Sequence, residues 1–325
     1  MKSKERVIRA LEFNSPDRLP IGKSHMPSKG IIETLKVFLF YPNDIGNVLF
    51  RPANTKAGKG VYKDNWGVLW HKERQVIESP LKDWSGLDNL KVPNYFTKSN
   101  FAIIKTLKFF FKNRFVLGDM HDMIFSRMQY LRGYEQFMED LYLERENIEK
   151  LADKIIALNI EVINKYADLG VDGVLGFDDL GLQDRLMISP DMWREIFKPK
   201  YKVLIEAAHA RGLKFILHSC GYIYDIIEDF IEIKLDALQC DQQDNMGVDK
   251  LNEKYGGRIT FFSPVDVQTS LSTNDYEKIT KKTKYLKNTL GSHNGGLIGK
   301  VYNSPKALGA NEKSVRVMLD AFLDK

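Results

Sequence analysis

The fold is decided by a stretch near the middle of the chain, Lys214–Gly221, which reads KFILHSCG. Its apolar run ends in polar residues and a glycine, which is typical of a buried strand that runs into a loop. A similar run, Val171–Phe177 (VDGVLGF), comes before it, and a helical pattern from Ser189 to Gly212 lies between the two. A strand, a helix and a second strand in this order predict a βαβ unit, in which the strands are parallel.

The same alternation continues toward both ends of the chain. It predicts further strands at 18–21, 115–118, 237–239, 258–262 and 296–299, and helices at 3–13, 135–169, 275–290 and 313–323. With an eighth strand expected in the irregular early part, the pattern predicts an α/β fold of the (β/α)₈ TIM-barrel type. A doubly wound open sheet is the alternative. We interpret 1–325 as one domain, in which residues 22–100 are an insertion or cover over one end of the barrel, with a small hairpin near Trp66–Trp70.

Composition excludes several classes of function. The net charge of +5 over 325 residues is too small and too evenly spread to indicate a nucleic-acid partner. No apolar run approaches the roughly 18 residues that span a bilayer, and the charged first residues do not resemble a signal peptide. We therefore expect a cytoplasmic protein without a membrane contact. There is also no glycine-rich phosphate loop, so nucleotide binding has no support.

Two residues of the stretch Lys214–Gly221 have side chains that could bind a metal or take part in catalysis. His218 and Cys220 are two positions apart at the end of a strand, so both side chains point the same way, toward the mouth of a barrel. Imidazole and thiolate together suit zinc, although a core cysteine beside a hydrogen-bonded histidine would show the same spacing. Cys240 ends the next strand. It is a candidate third metal ligand, or a core thiol.

Polar residues also follow the other predicted strands. Asp178 and Asp179 come directly after Phe177 and could ligate the metal or act as a base, or one of them could cap the next helix. Residues in the same kind of position are candidates for binding a small substrate: Asp119, His121, Gln183, Asp266, Gln268, Tyr302 and Asn303. Asp266 and Gln268 could instead simply form a turn.

At these residues the chain resembles the uroporphyrinogen decarboxylase superfamily, which includes zinc-dependent methyltransferases that pass methyl groups to or from corrinoids. The resemblance runs nearly from end to end, and its most specific block is Leu217–Gly221 followed by Ile226-Ile227 and Glu232-Ile233. The other matching stretches are Glu5–Leu11, Pro16–Pro20, Asp64–Trp70, Asp178-Asp179, Gln183, Met187–Pro190, Asp266–Gln268 and Gly295-Gly296. The family fold is a (β/α)₈ barrel.

Two departures from the family narrow what the resemblance implies. Authentic uroporphyrinogen decarboxylases carry an arginine-bearing motif after the first strand, but Ile21–Met26 contains no arginine, which argues against a substrate with many carboxylates. The chain therefore looks more like the methyltransferase branch. That branch adds a third thiolate after the last strand, and Leu297–Asn303 has no cysteine. The third ligand would then be Cys240, Asp178, Asp179 or a water, or the chain binds no metal.

The resemblance implies a zinc-dependent methyltransferase that moves a methyl group between a small methylated substrate or thiol and a corrinoid. Zinc would be held by His218 and Cys220, and Asp178 or Asp179 would complete the site or move a proton. The corrinoid would be carried by a separate protein docking at the barrel mouth, and a homodimer is left open. Two rivals are a cofactor-free decarboxylase, in which Asp178 stabilises a protonated pyrrole, and a barrel that binds a ligand without turnover.

Overall fold

The structure, a computed structural model, describes residues 1–24, 42–72, 75–302 and 305–324. Eight parallel strands form its main sheet. In chain order they are β1 (Ile21–Ser24), β2 (Ile45–Leu49), β7 (Phe115–Asp122), β8 (Gly173–Phe177), β9 (Lys214–His218), β10 (Ala237–Gln239), β11 (Thr260–Ser263) and β12 (Leu297–Tyr302). Four more strands form a separate antiparallel sheet: β3 (Thr55–Gly58), β4 (Val61–Lys63), β5 (Leu69–His71) and β6 (Val76–Glu78).

The main sheet is a nearly closed barrel. Its strand order is β1-β12-β11-β10-β9-β8-β7-β2, so β1 and β2 are its two edges. Asp44 joins these edges: its N–H donates to the Ile21 carbonyl at 2.7 Å, and its carboxylate accepts from the Ile21 N–H at 2.9 Å. The prediction of a (β/α)₈ barrel is confirmed, and the expected eighth strand is β2.

The helices follow the strands as βα units require. Their bounds are Ser3–Leu11, Lys98–Phe110, Phe125–Arg132, Tyr134–Leu143, Arg145–Asp168, Pro190–Met192, Lys198–Ala210, Ile227–Glu232, Val248–Tyr255, Tyr276–Leu290 and Glu312–Phe322. Ser189 caps its helix as predicted, with Oγ accepting from the Met192 N–H at 3.2 Å. The predicted helix over 135–169 is two helices, with a break at Glu144, whose φ of −127° is not helical. None of the described helices is both long enough and apolar enough to cross a membrane.

The predicted insertion or cover at 22–100 includes residues 25–41 and 73–74, which lie outside the described residues, so its full extent stays a prediction. Within that range strand β2 belongs to the barrel, and the small antiparallel sheet, which we call the cover, follows it. The cover is tied to the barrel by Asp64, whose Oδ2 accepts from the Trp70 Nε1–H at 3.0 Å and from Arg127 Nη1 at 2.9 Å. Arg127 lies in the helix that follows β7, so this buried pair fixes the cover against the carboxyl end of the barrel.

The barrel interior changes from apolar to polar along its axis. The apolar part contains Ile45, Leu117, Leu175, Ile216, Ala237, Phe262 and Ile298, together with Val7, Ala10 and Leu11 of the first helix. Side chains two positions further along a strand lie on the same face. On five strands that step leads to a polar residue: Asn47, Asp119, His218, Gln239 and Lys300. The barrel is therefore filled at its amino end and polar at its carboxyl end, where barrel enzymes place their sites.

Candidate metal centre

Three potential ligand atoms converge at the ends of β8 and β9. The side chains of Asp179, His218 and Cys220 each offer one atom, and these atoms lie within 4.8 Å of one another. His218 Nε2 is 3.4 Å from Cys220 Sγ and 3.7 Å from Asp179 Oδ1. We call these three residues the metal cluster. The structure thus brings His218 and Cys220 together, with Asp179 as the third member.

The loops after β8 and β9 must touch for this arrangement to form. Gly221 has φ of 79°, and a Cβ added there would lie 2.3 Å from the carbonyl oxygen of Gly181. The two loops are joined by the Tyr222 N–H, which donates to the Leu182 carbonyl at 2.7 Å, and by the Cys220 N–H, which donates to Asp179 Oδ1 at 3.0 Å. The glycine that follows His218-x-Cys220 therefore allows the close approach that holds Asp179 against the thiol.

Burial shifts both titratable groups of the β9 end toward their neutral forms. It lowers the pKa of His218, and the nearby Lys300 ammonium lowers it further, while Asp241 and Asp179 oppose the change. Burial also raises the pKa of Cys220, and the carboxylates of Asp179 and Asp241 act in the same direction. A neutral imidazole is ready to bind a metal, whereas the thiol needs a cation beside it to become a thiolate.

Asp178 has a structural position. Its carboxylate accepts from the backbone N–H groups of Ile124 at 2.8 Å, Phe125 at 2.9 Å and Ser126 at 2.6 Å, and from the Tyr201 hydroxyl at 2.6 Å. It thereby caps the helix Phe125–Arg132, which comes before it in the chain, whereas one of the two aspartates was expected to cap the next helix. Four hydrogen bonds on two oxygens argue against the metal-binding and catalytic roles predicted for Asp178.

Cys240 lies outside the metal cluster. Its thiol is buried and lies 3.3 Å from Ser263 Oγ, and burial raises its pKa to about 12. The alternative of a core thiol therefore fits the structure better than the predicted role as a metal ligand. The alternation of side chains explains this, since Gln239 lies on the inner face of β10 and Cys240 follows it on the opposite side.

A second polar group lies beside the metal cluster. Lys300 Nζ is 2.7 and 2.8 Å from the two carboxylate oxygens of Asp241 and 3.1 Å from Gln239 Oε1. The Tyr302 hydroxyl also donates to Asp241. We call these four residues the ion-pair cluster. Burial acts to raise the pKa of Asp241. The Lys300 ammonium acts in the opposite direction, and the pKa of Asp241 is lowered, so this carboxyl group is ionised.

Sequence reasoning selected Tyr302 but missed Asp241, Gln239 and Lys300. Two features of the sequence point to the ion pair of Lys300 and Asp241. Lys300 is a charged residue inside an otherwise apolar last strand, two positions after Ile298 and so on the inner face. Asp241 is an acidic residue just past the end of β10. A buried charge of one sign implies a partner of the other.

A cavity of about 490 Å³ opens between the barrel and its cover, and Asp179 and His218 are part of its wall. Asp119 also lines it. Burial raises the pKa of Asp119 to about 7, opposed by a hydrogen bond from Asn47 Nδ2 at 2.6 Å. The volume suits a small-molecule ligand. Asp119 is therefore the predicted substrate-binding residue that the structure brings to this space.

Four of the remaining candidates are described by the structure, and none of these four lines this cavity. The carboxylate of Asp266 accepts from the N–H groups of Asp244, Gln268 and Thr269, so it forms the turn that was its alternative interpretation. Gln268 is exposed, and exposed Gln183 accepts a hydrogen bond from Asn245. Tyr302 belongs to the ion-pair cluster. The side chain of His121 and all of Asn303 lie outside the described residues.

Comparisons with known proteins agree with the fold. A solved methyltransferase from Methanosarcina mazei superposes with a TM-score of 0.70 at 16% identity, covering 99% of this chain and 98% of that one. Weaker likenesses include a D-psicose 3-epimerase, with a TM-score of 0.42, 6% identity, and 74% and 84% of the two chains covered. Another is an IOLI protein with a bound zinc atom, with a TM-score of 0.40, 14% identity, and 68% and 80% covered. No curated protein matches the sequence.

The family follows from the sequence. Residues 69–296 match the family model described as uroporphyrinogen decarboxylase (URO-D), and this range spans most of the chain, from β5 in the cover to the residue before β12. The matched range includes every member of the metal cluster. The chain belongs to the uroporphyrinogen decarboxylase family.

Proposed function

We propose that this chain is a zinc-dependent methyltransferase that moves a methyl group between a small methylated substrate or thiol and a corrinoid. The observation that carries the proposal is the convergence of an imidazole, a thiol and a carboxylate at the carboxyl end of the barrel. Three protein ligands of this kind leave one coordination position for a substrate, as in catalytic zinc sites.

The spacing of the ligand atoms fits zinc. Bonds of about 2.0–2.3 Å at tetrahedral angles place neighbouring ligand atoms about 3.4–3.6 Å apart. His218 Nε2 lies 3.4 Å from Cys220 Sγ and 3.7 Å from Asp179 Oδ1. Only small side-chain movements are therefore needed for these three residues to hold the metal.

The charges at the barrel mouth also fit a dication. Asp179 and Asp241 are acidic and Lys300 is basic, so with a neutral thiol and imidazole these groups carry one net negative charge. A bound dication together with a Cys220 thiolate brings the sum to zero. Buried groups are stabilised when their charges balance in this way.

Zinc, when bound, would supply a Lewis acid that activates a thiol or polarises the group from which methyl leaves. The chain's own residues would do the rest. Asp179 holds the Cys220 backbone through its N–H, so the thiol stays oriented toward His218. The cavity would hold a substrate beside Asp179 and His218, two members of the metal cluster. Asp119, with a pKa of about 7, can hold or release a proton at its carboxyl oxygens near neutral pH.

The partners follow from the same proposal. The corrinoid would be presented by a separate cytoplasmic protein that docks at the carboxyl end of the barrel, beside the cover. A homodimer stays a prediction. The rival decarboxylase mechanism needs Asp178 to face a pyrrole cation, and the four hydrogen bonds that engage its carboxylate argue against this.

Methyl transfer tests the proposal directly. Zinc-loaded protein is mixed with methylcobalamin and a panel of small thiols, and demethylation of the corrinoid is followed by its absorbance. We expect thiol-dependent turnover with the wild-type chain and Cys240→Ser, and loss of at least about 100-fold with Cys220→Ser. Zinc binding without turnover on any thiol or methyl donor would instead favour the non-catalytic ligand-binding barrel.

A further inference from the structure

The wall of the cavity is rich in aromatic rings. Its described lining includes six of them, which come from the cover, the barrel and the helix after β7: Tyr62, Trp66, Trp70, Tyr95, Tyr130 and Phe177. Ring faces carry partial negative charge and attract cations, most strongly where water is excluded. The barrel therefore closes its mouth with a surface that is apolar and yet attractive to positive charge.

The charged groups of the described wall are mostly acidic. They are four aspartates and one arginine, Arg127. Asp64 forms an ion pair with this arginine through a contact of 2.9 Å. The other three carboxyl groups are Asp178 in its helix cap, Asp179 in the metal cluster, and Asp119. Burial raises the pKa of Asp178 and that of Asp119, the latter to about 7, so a cation beside Asp119 would favour its ionised form, whereas these carboxyl oxygens disfavour an anionic ligand.

The protein already uses these rings to hold a cation. The Arg127 guanidinium lies over the Trp66 ring at 5.7 Å and over the Tyr130 ring at 5.8 Å. These distances are within the range of cation–π contacts. Arg127 thus occupies one side of the wall, while Tyr62, Tyr95 and Phe177 line the rest of the space together with Asp119.

We propose that this cavity binds a small N-methylated ammonium compound, seated against the aromatic rings with its positive charge toward Asp119. Such a ligand presents methyl groups that spread the positive charge over an apolar surface, which matches rings better than a strongly hydrated ion does. Its role as the methyl donor rests on the proposed function, whereas its binding does not.

Binding is tested with a matched pair of probes on corrinoid-free protein, with and without zinc. Choline carries a trimethylammonium head, and 3,3-dimethylbutan-1-ol has the same shape without the charge. We expect choline to bind about 3- to 30-fold more tightly by calorimetry, the range of cation–π contributions at partly desolvated sites. Equal affinities, or tighter binding of 4-methoxybenzoate than of choline, would overturn the proposal.

Variants locate the site. Tyr62→Leu removes a ring of the wall and Asp119→Asn removes a charge without changing shape, so each is expected to weaken choline binding several-fold while leaving the neutral alcohol unchanged. Tyr285→Leu, at an exposed ring outside the cavity, is the matched control and keeps wild-type affinity. Unchanged choline affinity in Tyr62→Leu would contradict the assignment even if Asp119→Asn fails to fold. Choline binding together with no turnover in the methylcobalamin assay on any thiol would leave this inference standing and count against the proposed function, whereas turnover in that assay without choline binding would remove this inference alone.

Discussion

Two polar clusters share the carboxyl end of this barrel, and they differ in how their charges are satisfied. In the ion-pair cluster Lys300 and Asp241 have side chains only 1% and 8% exposed, and each is the other's partner. In the metal cluster the Asp179 side chain is 53% exposed, and three potential ligand atoms face one another. The two charges of the first cluster are paired with each other, whereas the second cluster is arranged as a binding site is.

The comparison assigns different tasks to residues that look equivalent in the sequence. The ion-pair cluster holds β10 and β12 together beside His218 and keeps a positive charge close to it. The metal cluster depends on the ion-pair cluster for its charge balance. It depends for its shape on the close approach of Gly221 to Gly181. Changes to the first should therefore affect mainly stability, and changes to the second mainly ligand binding.

The largest effect is expected from breaking the ion pair. Lys300→Met leaves the buried Asp241 carboxylate without its cation, and removing one partner of a buried pair costs about 3–5 kcal/mol. The free energy of unfolding, measured by urea denaturation, should fall by that amount.

The double variant Lys300→Met/Asp241→Leu is the informative control, since it removes both charges and should recover much of the loss. Arg211→Ala, which breaks an exposed pair with Asp168, should change stability by less than about 1 kcal/mol. If Lys300→Met were no more costly than Arg211→Ala, the ion-pair cluster would not have the structural task assigned to it.

A smaller effect should separate the adjacent aspartates. Asp178→Ala leaves three backbone N–H groups at a helix start without an acceptor, so we expect a loss of about 2 kcal/mol in unfolding free energy with zinc affinity nearly unchanged. Asp179→Ala should show the reverse, with zinc affinity reduced about 10- to 100-fold and stability changed by about 1 kcal/mol or less. Competition with a chromophoric chelator measures the zinc affinities. Equal effects of the two variants on both quantities would remove the distinction.

Sequence patterns predicted the barrel because burial on both sides of parallel strands leaves short apolar runs such as FIL at 215–217. They also predicted that the side chains of His218 and Cys220 point the same way, since two-residue alternation at a strand end is a local property. The sequence did not decide which aspartate joins His218 and Cys220, because Asp178 and Asp179 differ only in which loop each one faces after folding. The candidate role of Cys240 as a ligand did not take into account that Gln239, the residue before it, is the one on the inner face of β10. Lys300 and Asp241 are 59 residues apart, and only the closed barrel brings them together.

A further effect concerns Asp119 and develops gradually with pH. Its pKa is about 7 in the folded chain and roughly 3.9 in an unfolded one. Between these values the folded state keeps a proton that the unfolded state has released, so this group makes stability fall as pH rises from about 4 to about 7. Asp119→Asn does not titrate, so the difference in unfolding free energy between wild type and variant should decrease over that range. A difference that stays constant with pH would show that Asp119 titrates normally.

We propose that the metal cluster holds a divalent ion, and cobalt(II) is the best probe of it because the cobalt(II) spectrum reports both geometry and thiolate ligation. Metal-free protein is titrated with the ion, alongside His218→Ala, Cys220→Ser and Cys240→Ser. We predict one ion per chain, with tetrahedral absorption bands and a thiolate charge-transfer band that are lost in His218→Ala and Cys220→Ser and kept in Cys240→Ser. No binding to the wild-type chain, or an unchanged spectrum in Cys220→Ser, would contradict the account.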